Sequence, residues 1–134
     1  MSNGICSTMT SEMTRDIVAG HGGFAEGILS AVEQIAGLSH RFVSLSNAGL
    51  EPGAIERLLR DTIAAHGTKV IFTDLPAGSC TQAARRVQRD LPELVLVTGA
   101  ALPTILAYAC GSDIGTAAEK GRAAQIVVEG TRDA

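Results

Sequence analysis

Tryptophan is absent from this chain, and its aromatic residues amount to three phenylalanines and one tyrosine among 134 residues. Positive charge is scarce as well: 11 lysines and arginines stand against 14 acidic residues, a formal net charge of −3. A nucleic-acid surface needs clustered basic residues, and no basic stripe is present. Nucleic acid is therefore excluded as a partner, which leaves proteins or small molecules. The cysteines are few, Cys6, Cys80 and Cys110, odd in number, far apart and outside any CxxC pattern. They argue against both a disulfide framework and a zinc site, and a reducing cytosol suits them best. No phosphate-binding P-loop sequence occurs, so neither a metal nor a nucleotide cofactor is expected.

Two further absences concern targeting. Met1–Thr14 is polar and lacks the basic start and apolar centre of a secretory signal, so residues 1–14 read as an extension ahead of one domain over 15–134. Leu94–Gly111 carries no charge and approaches the length of a membrane span. Thr98-Gly99 and Pro103 interrupt it, so a buried strand, a turn and a helix explain it better, and the chain is not expected to cross a membrane.

What is present is an alternation of short aliphatic runs with longer segments of helical period, the pattern of an α/β fold with a parallel sheet. Strands are expected at Asp16–Ala19, Arg41–Leu45, Val70–Thr73 and Leu94–Thr98, with a late edge strand at Gln125–Val128. Phe24, Ile28, Val32 and Ile35 form the core-facing stripe of a first helix that ends near Gly37. A second runs from Pro52 to His66 on Ile55, Leu58, Leu59 and Ile63, with Pro52 in its first turn and Gly67 as its cap. A third starts near Ser79, carries Ala83, Val87 and Leu91, and stops at Pro92. A fourth begins near Pro103, and a further helix follows Ser112-Asp113, whose side chains suit a cap. Right-handed crossovers leave few topologies, of which the flavodoxin-like doubly wound order 2-1-3-4 fits best.

In that order the first and third strands are neighbours, and their carboxyl ends open the crevice in which such sheets bind ligands. Gly20-His21-Gly22-Gly23 follows the first strand and Asp74-Leu75-Pro76-Ala77-Gly78-Ser79 the third. Glycines at two helix starts let backbone N–H groups approach an anion, so Gly22, Gly23, Gly78 and the Ser79 hydroxyl are candidate phosphate ligands. Each helix dipole adds only about 0.3–1 kcal/mol when exposed, so specific hydrogen bonds must carry the binding. A histidine that accepts a phosphoryl group needs one neutral, exposed ring nitrogen. A carboxylate on the other nitrogen fixes that tautomer and stabilises the charge that develops on the ring. His21 and Asp74 are the candidates for those roles. Ser79 also suits a helix N-cap, Cys80 a small buried filler, and Arg85, Arg86 and Arg89 a solvated helix face; His40 and His66 read as structural.

Ile17-Val18-Ala19-Gly20-His21-Gly22-Gly23-Phe24-Ala25 resembles the active-site start of mannose-type IIA components of the sugar phosphotransferase system. Thr73-Asp74-Leu75-Pro76-Ala77-Gly78-Ser79 and Thr98-Gly99-Ala100-Ala101-Leu102-Pro103 are similar to that family's second and third landmarks. The order is that of the family, and the similarity covers residues 16 to about 129. Cys80 stands where the family usually has Pro, Pro76-Ala77 where a bulkier residue and Gly are usual, and Ala100 where Asn is usual. The resemblance implies a cytoplasmic phosphocarrier whose His21 takes a phosphoryl group on Nε2 from HPr and gives it to a IIB component. It also implies a homodimer with an exchanged last strand, working beside a membrane permease complex. Two alternatives are a response-regulator-like receiver and the IIA-like subunit that feeds dihydroxyacetone kinase. A receiver needs an acidic pair after its first strand, where Gly20-His21-Gly22 stands. The kinase-feeding subunit shares fold and chemistry and differs in its partner.

Overall fold

The computed structural model describes residues 14–132, so the leader assigned to residues 1–14 lies, apart from Thr14, outside the described residues. Four parallel strands form one sheet in the order β2-β1-β3-β4, with β1 at Asp16–Gly20, β2 at Phe42–Ser46, β3 at Val70–Thr73 and β4 at Val95–Val97. Helix α1 (Phe24–Ala36) and a 3-10 turn (Ser39–Arg41) lead from β1 to β2, α2 (Pro52–His66) leads to β3, and α3 (Ser79–Asp90) leads to β4. Helices α4 (Leu102–Ala109) and α5 (Ile114–Ala124) complete the order, and this is the doubly wound arrangement expected from the sequence. The uncharged stretch Leu94–Gly111 is β4, a turn and α4. Among the described residues no helix is long and apolar enough to cross a membrane.

Successive strand residues point to opposite faces, and the core divides accordingly. Ile17, Ala19 and Ile71 pack with Ile55 and Leu59 of α2 and with Cys80, Ala83, Ala84 and Val87 of α3. Val18, Val70 and Phe72 pack on the other face with Ala25, Leu29 and Val32 of α1 and with Ile105 and Ala109 of α4. Because β1 is covered on both faces, all five of its residues are buried. A strand in that position reads as a continuous apolar run, without polar alternation.

Asp16 is the exception in that run, and its carboxylate is satisfied on both oxygens. Oδ1 accepts the backbone N–H groups of Lys69 at 3.0 Å and Val70 at 2.9 Å, while Oδ2 accepts the Tyr108 hydroxyl at 2.6 Å. Burial first, and then the adjacent carboxylate, push the Tyr108 phenol above its ordinary pKa. The Tyr108 ring meets Phe42 and Phe72 with centroids 6.4 and 5.4 Å away, so three of the chain's few aromatics form one cluster. The start of β1 is thereby bound to β3 and α4, far from the strand's carboxyl end.

Two expectations are corrected by the packing. Ile35 does not reach the core: α1 buries the line Ala25, Leu29 and Val32, and Ile35 stands on its flank, 60% exposed. Residues 39–41 close a 3-10 turn, which delays β2 to Phe42. The edge strand expected at Gln125–Val128, exchanged in a dimer, is not formed within a single chain, where residues 125–132 carry neither helix nor strand. A strand requires a neighbour to share its backbone hydrogen bonds, and among the described residues this segment has none. Helix α5 starts as the sequence indicates, with the Asp113 carboxylate accepting the Thr116 N–H at 2.9 Å.

Candidate active site

Parallel pairing places Ala19 of β1 opposite Thr73 of β3, so the two chains leave the sheet side by side. One continues as Gly20-His21 and the other as Asp74. A single oxygen, Asp74 Oδ2, accepts the His21 backbone N–H at 2.8 Å and lies 2.9 Å from His21 Nδ1. A carboxylate only accepts, so Nδ1 carries the proton and donates it, which leaves Nε2 with the lone pair. The His21 side chain is 48% exposed whereas that of Asp74 is 11% exposed, so the ring reaches solvent above a shielded carboxylate. Burial pushes the Asp74 carboxyl up, but the backbone N–H, ring N–H and charge of His21 together hold it below its ordinary value.

This closeness depends on two glycines. A Cβ at Gly20 would lie 2.7 Å from Phe24 Cδ2 and 2.8 Å from both Cγ and Oδ2 of Asp74. A Cβ at Gly78 would lie 3.0 Å from His21 Cε1, the ring carbon between the two nitrogens. The loop after β3 thus runs against the imidazole edge. Gly22 and Gly23 are exposed, nothing lies within 4 Å of a Cβ position at either, and Gly22 turns the chain at φ 53. Helices α1 and α3 have Gly23 and Gly78 as their N-caps, with no side chain capping either. The first-turn N–H groups of both helices therefore have no acceptor from a capping side chain among the described residues.

The loop around Asp74 is held by hydroxyls not singled out from the sequence. Thr81 Oγ1 donates to the Leu75 carbonyl, and Thr73 Oγ1 lies 2.6 Å from Thr81 Oγ1. The residues on either side of Asp74 are thus bound to one buried threonine of α3. Ala100 N–H donates to the Thr73 carbonyl at 2.8 Å and ties the end of β4 to the same point. Ser79 differs from its expected role: it is the first residue of α3 rather than its cap, and its Oγ accepts the Asn47 side-chain amide at 3.0 Å. Asn47 directly follows β2, and its position at a strand's carboxyl end was the available signal for it. Cys80 is a buried filler, 2% exposed, its thiol pushed up to about 11 by burial and then by the Asp74 charge. Arg86 leaves the solvated face expected of it and pairs with Glu56 of α2 at 2.9 Å.

A histidine above a shielded carboxylate, at the switch point of this topology, lies within the stretch that a family model matches. Residues 16–124 match the family model EIIA-man, described as PTS system fructose IIA component. The chain belongs to the EIIA-man family. It is accordingly a IIA-type component of a sugar phosphotransferase system, and the receiver alternative falls away. Solved structures with this fold include the mannose/sorbose-specific IIA subunit from Enterococcus faecalis, 18% identical, with a TM-score of 0.75 over 90% of this chain and 98% of that one. A PTS IIA protein associated with the fucose utilization operon of Streptococcus pneumoniae is 21% identical, with a TM-score of 0.75 over 85% and 93% of the two chains. A phosphoenolpyruvate-dependent sugar phosphotransferase system permease from Klebsiella pneumoniae is 26% identical, with a TM-score of 0.69 over 87% and 92%. Among curated proteins, none matches the EIIA-man chain.

Proposed function

We propose that this EIIA-man chain is a cytoplasmic phosphocarrier that accepts a phosphoryl group from phospho-HPr on His21 Nε2 and passes it to a IIB component. The observation that carries the reading is the double acceptance by Asp74 Oδ2, which holds the His21 ring by Nδ1 and leaves the lone pair on Nε2 of a half-exposed side chain. In the step itself the Nε2 lone pair attacks phosphorus while the bond from phosphorus to the donor histidine breaks and its electron pair returns to the donor ring. Nδ1 keeps its proton throughout. Positive charge moves from the donor ring to His21, where Asp74 stabilises it. Charge on the equatorial oxygens of the loose transition state meets the N–H groups at the starts of α1 and α3, with Gly22, Gly23, Gly78 and Ser79 as the phosphate contacts. This chemistry uses no metal and no cofactor.

Incubation with phosphoenolpyruvate, enzyme I and HPr is expected to place one acid-labile phosphoryl group on the chain, mapped to His21 by tandem mass spectrometry. Labelling elsewhere, or none, overturns the proposal. Onward transfer from the labelled chain to a IIB component, rather than to dihydroxyacetone kinase, separates the sugar-transport role from the kinase-feeding one.

The same reading includes a homodimer, with residues 125–128 pairing on the partner's sheet beside a membrane permease complex. Exposure of Ile126, Val127 and Val128 at 72%, 86% and 80% supports it, because a β-branched segment without a strand neighbour among the described residues favours pairing with another chain. Light scattering after size exclusion should give a dimer for the full chain and a monomer when residues 125–134 are removed. A monomeric full chain, or a truncated chain that remains dimeric, would count against the exchange.

A further inference from the structure

We propose that Asn47 is a positioning residue for the phosphoryl group on His21, acting through the hydroxyl of Ser79. The inference rests on the phosphocarrier reading and adds a residue to it.

Asn47 is placed to do this by its backbone. It follows the last residue of β2, its N–H donates to the Gly20 carbonyl at 3.1 Å, and its own carbonyl accepts the Leu50 N–H at 3.0 Å. Asn47 is therefore fixed to the peptide that precedes His21. From there its amide spans the crevice to the first residue of α3, with Nδ2 3.0 Å from Ser79 Oγ. Ser79 in turn adjoins Gly78, whose Cβ position is 3.0 Å from His21 Cε1. The bridge thus connects both loops of the site beside the imidazole edge.

A serine hydroxyl has one proton and two lone pairs, and an unrestrained rotor spreads that proton over three staggered positions. With Nδ2 donating, one lone pair of Ser79 Oγ is occupied and its hydroxyl becomes the donor of the pair. The side chain of the adjacent Cys80 is a competing acceptor, but a weak one. Phosphoryl oxygens on Nε2 are strong, charged acceptors, so the hydroxyl turned by Asn47 donates to them. The amide contributes no charge that would oppose the anion.

The test is a double-mutant cycle on the rate of phosphoryl transfer from phospho-HPr to His21, with thermal melts to check folding. Asn47→Ala is expected to slow transfer about tenfold, the worth of one oriented hydrogen bond. In a Ser79→Ala background the same change should cost less than about twofold, because its effect passes through the hydroxyl. Asn47→Asp, nearly isosteric, accepts the Ser79 proton and adds negative charge, so a loss of roughly 100-fold is expected. Additive losses in the cycle, or an Asn47→Asp chain as fast as the Asn47→Ala one, would overturn the positioning role. Failure of the unmodified chain to label at His21 would instead overturn the phosphocarrier reading on which it rests.

Discussion

Asp74→Asn is expected to slow phosphorylation of His21 by about 10²- to 10⁴-fold while the chain remains folded. The replaced carboxylate has one oxygen in use and one idle: Oδ2 accepts both bonds from His21, and Oδ1 is buried without a hydrogen-bond partner among the described residues. Asparagine can keep its oxygen toward His21 only by placing its NH₂ group where Oδ1 was, so two buried donors lack acceptors, at a cost of about 1–3 kcal/mol. The flipped amide points donors at donors and loses the ring altogether. In either orientation the negative charge that balances a phosphorylated, positively charged imidazole is gone. The rate is lost chiefly through charge and tautomer, so rapid-quench transfer kinetics should show a large fall while the melting curve shifts modestly. Unchanged kinetics would remove Asp74 from the mechanism.

The same substitution has a signature in acid. The Asp74 carboxyl is held below its ordinary value in the folded chain, because the hydrogen bonds and charge of His21 outweigh its burial. A depressed carboxyl stabilises the fold above its unfolded pKa, and that contribution disappears as pH falls through the folded value. The stability gap between wild type and Asp74→Asn should therefore be widest near neutral pH and narrow below the ordinary carboxylate range. A gap that ignores pH in urea titrations would mean that the His21–Asp74 pair contributes nothing through charge.

His21 and Asp74 were legible because each comes after a central apolar run, Ile17-Val18-Ala19 or Val70-Ile71-Phe72, buried on both faces. Such a run identifies an interior parallel strand, and the residues just beyond its carboxyl end lie in the crevice. Asn47 and Thr81 were not legible in this way. Their partners are Ser79, 32 residues from Asn47, and Leu75 with Thr73 around Asp74, and only the packing of α3 against the sheet brings them together. Residue type and position suit Ser79 to a cap, yet the amide from the end of β2 engages its oxygen. Residues 125–128 have strand-forming composition, but composition does not say whose edge a strand will join.

Gly20→Ala is expected to reduce transfer to His21 by roughly 100-fold through one added methyl group, the sensitivity of a reacting geometry to displacement on the order of 1 Å. Gly20 does not need glycine for its backbone angles, since its φ is not positive. It needs glycine for space. The new Cβ would meet Phe24 Cδ2 at 2.7 Å and the Asp74 carboxylate at 2.8 Å. Phe24 sits at the first turn of α1 and is only half-buried, so its ring can yield. Asp74 cannot move without lengthening both bonds that Oδ2 accepts from His21. Overpacking of this kind costs about 1–3 kcal/mol in stability, so the variant should fold and yet hold its imidazole loosely. The NMR resonance of the His21 Nδ1 proton should broaden or vanish in the variant while the core methyl spectrum of Val18 and Ile71 stays close to wild type. Transfer at the wild-type rate, with that proton still protected, would show that the carboxylate tolerates displacement and that the contact at Gly20 serves only packing.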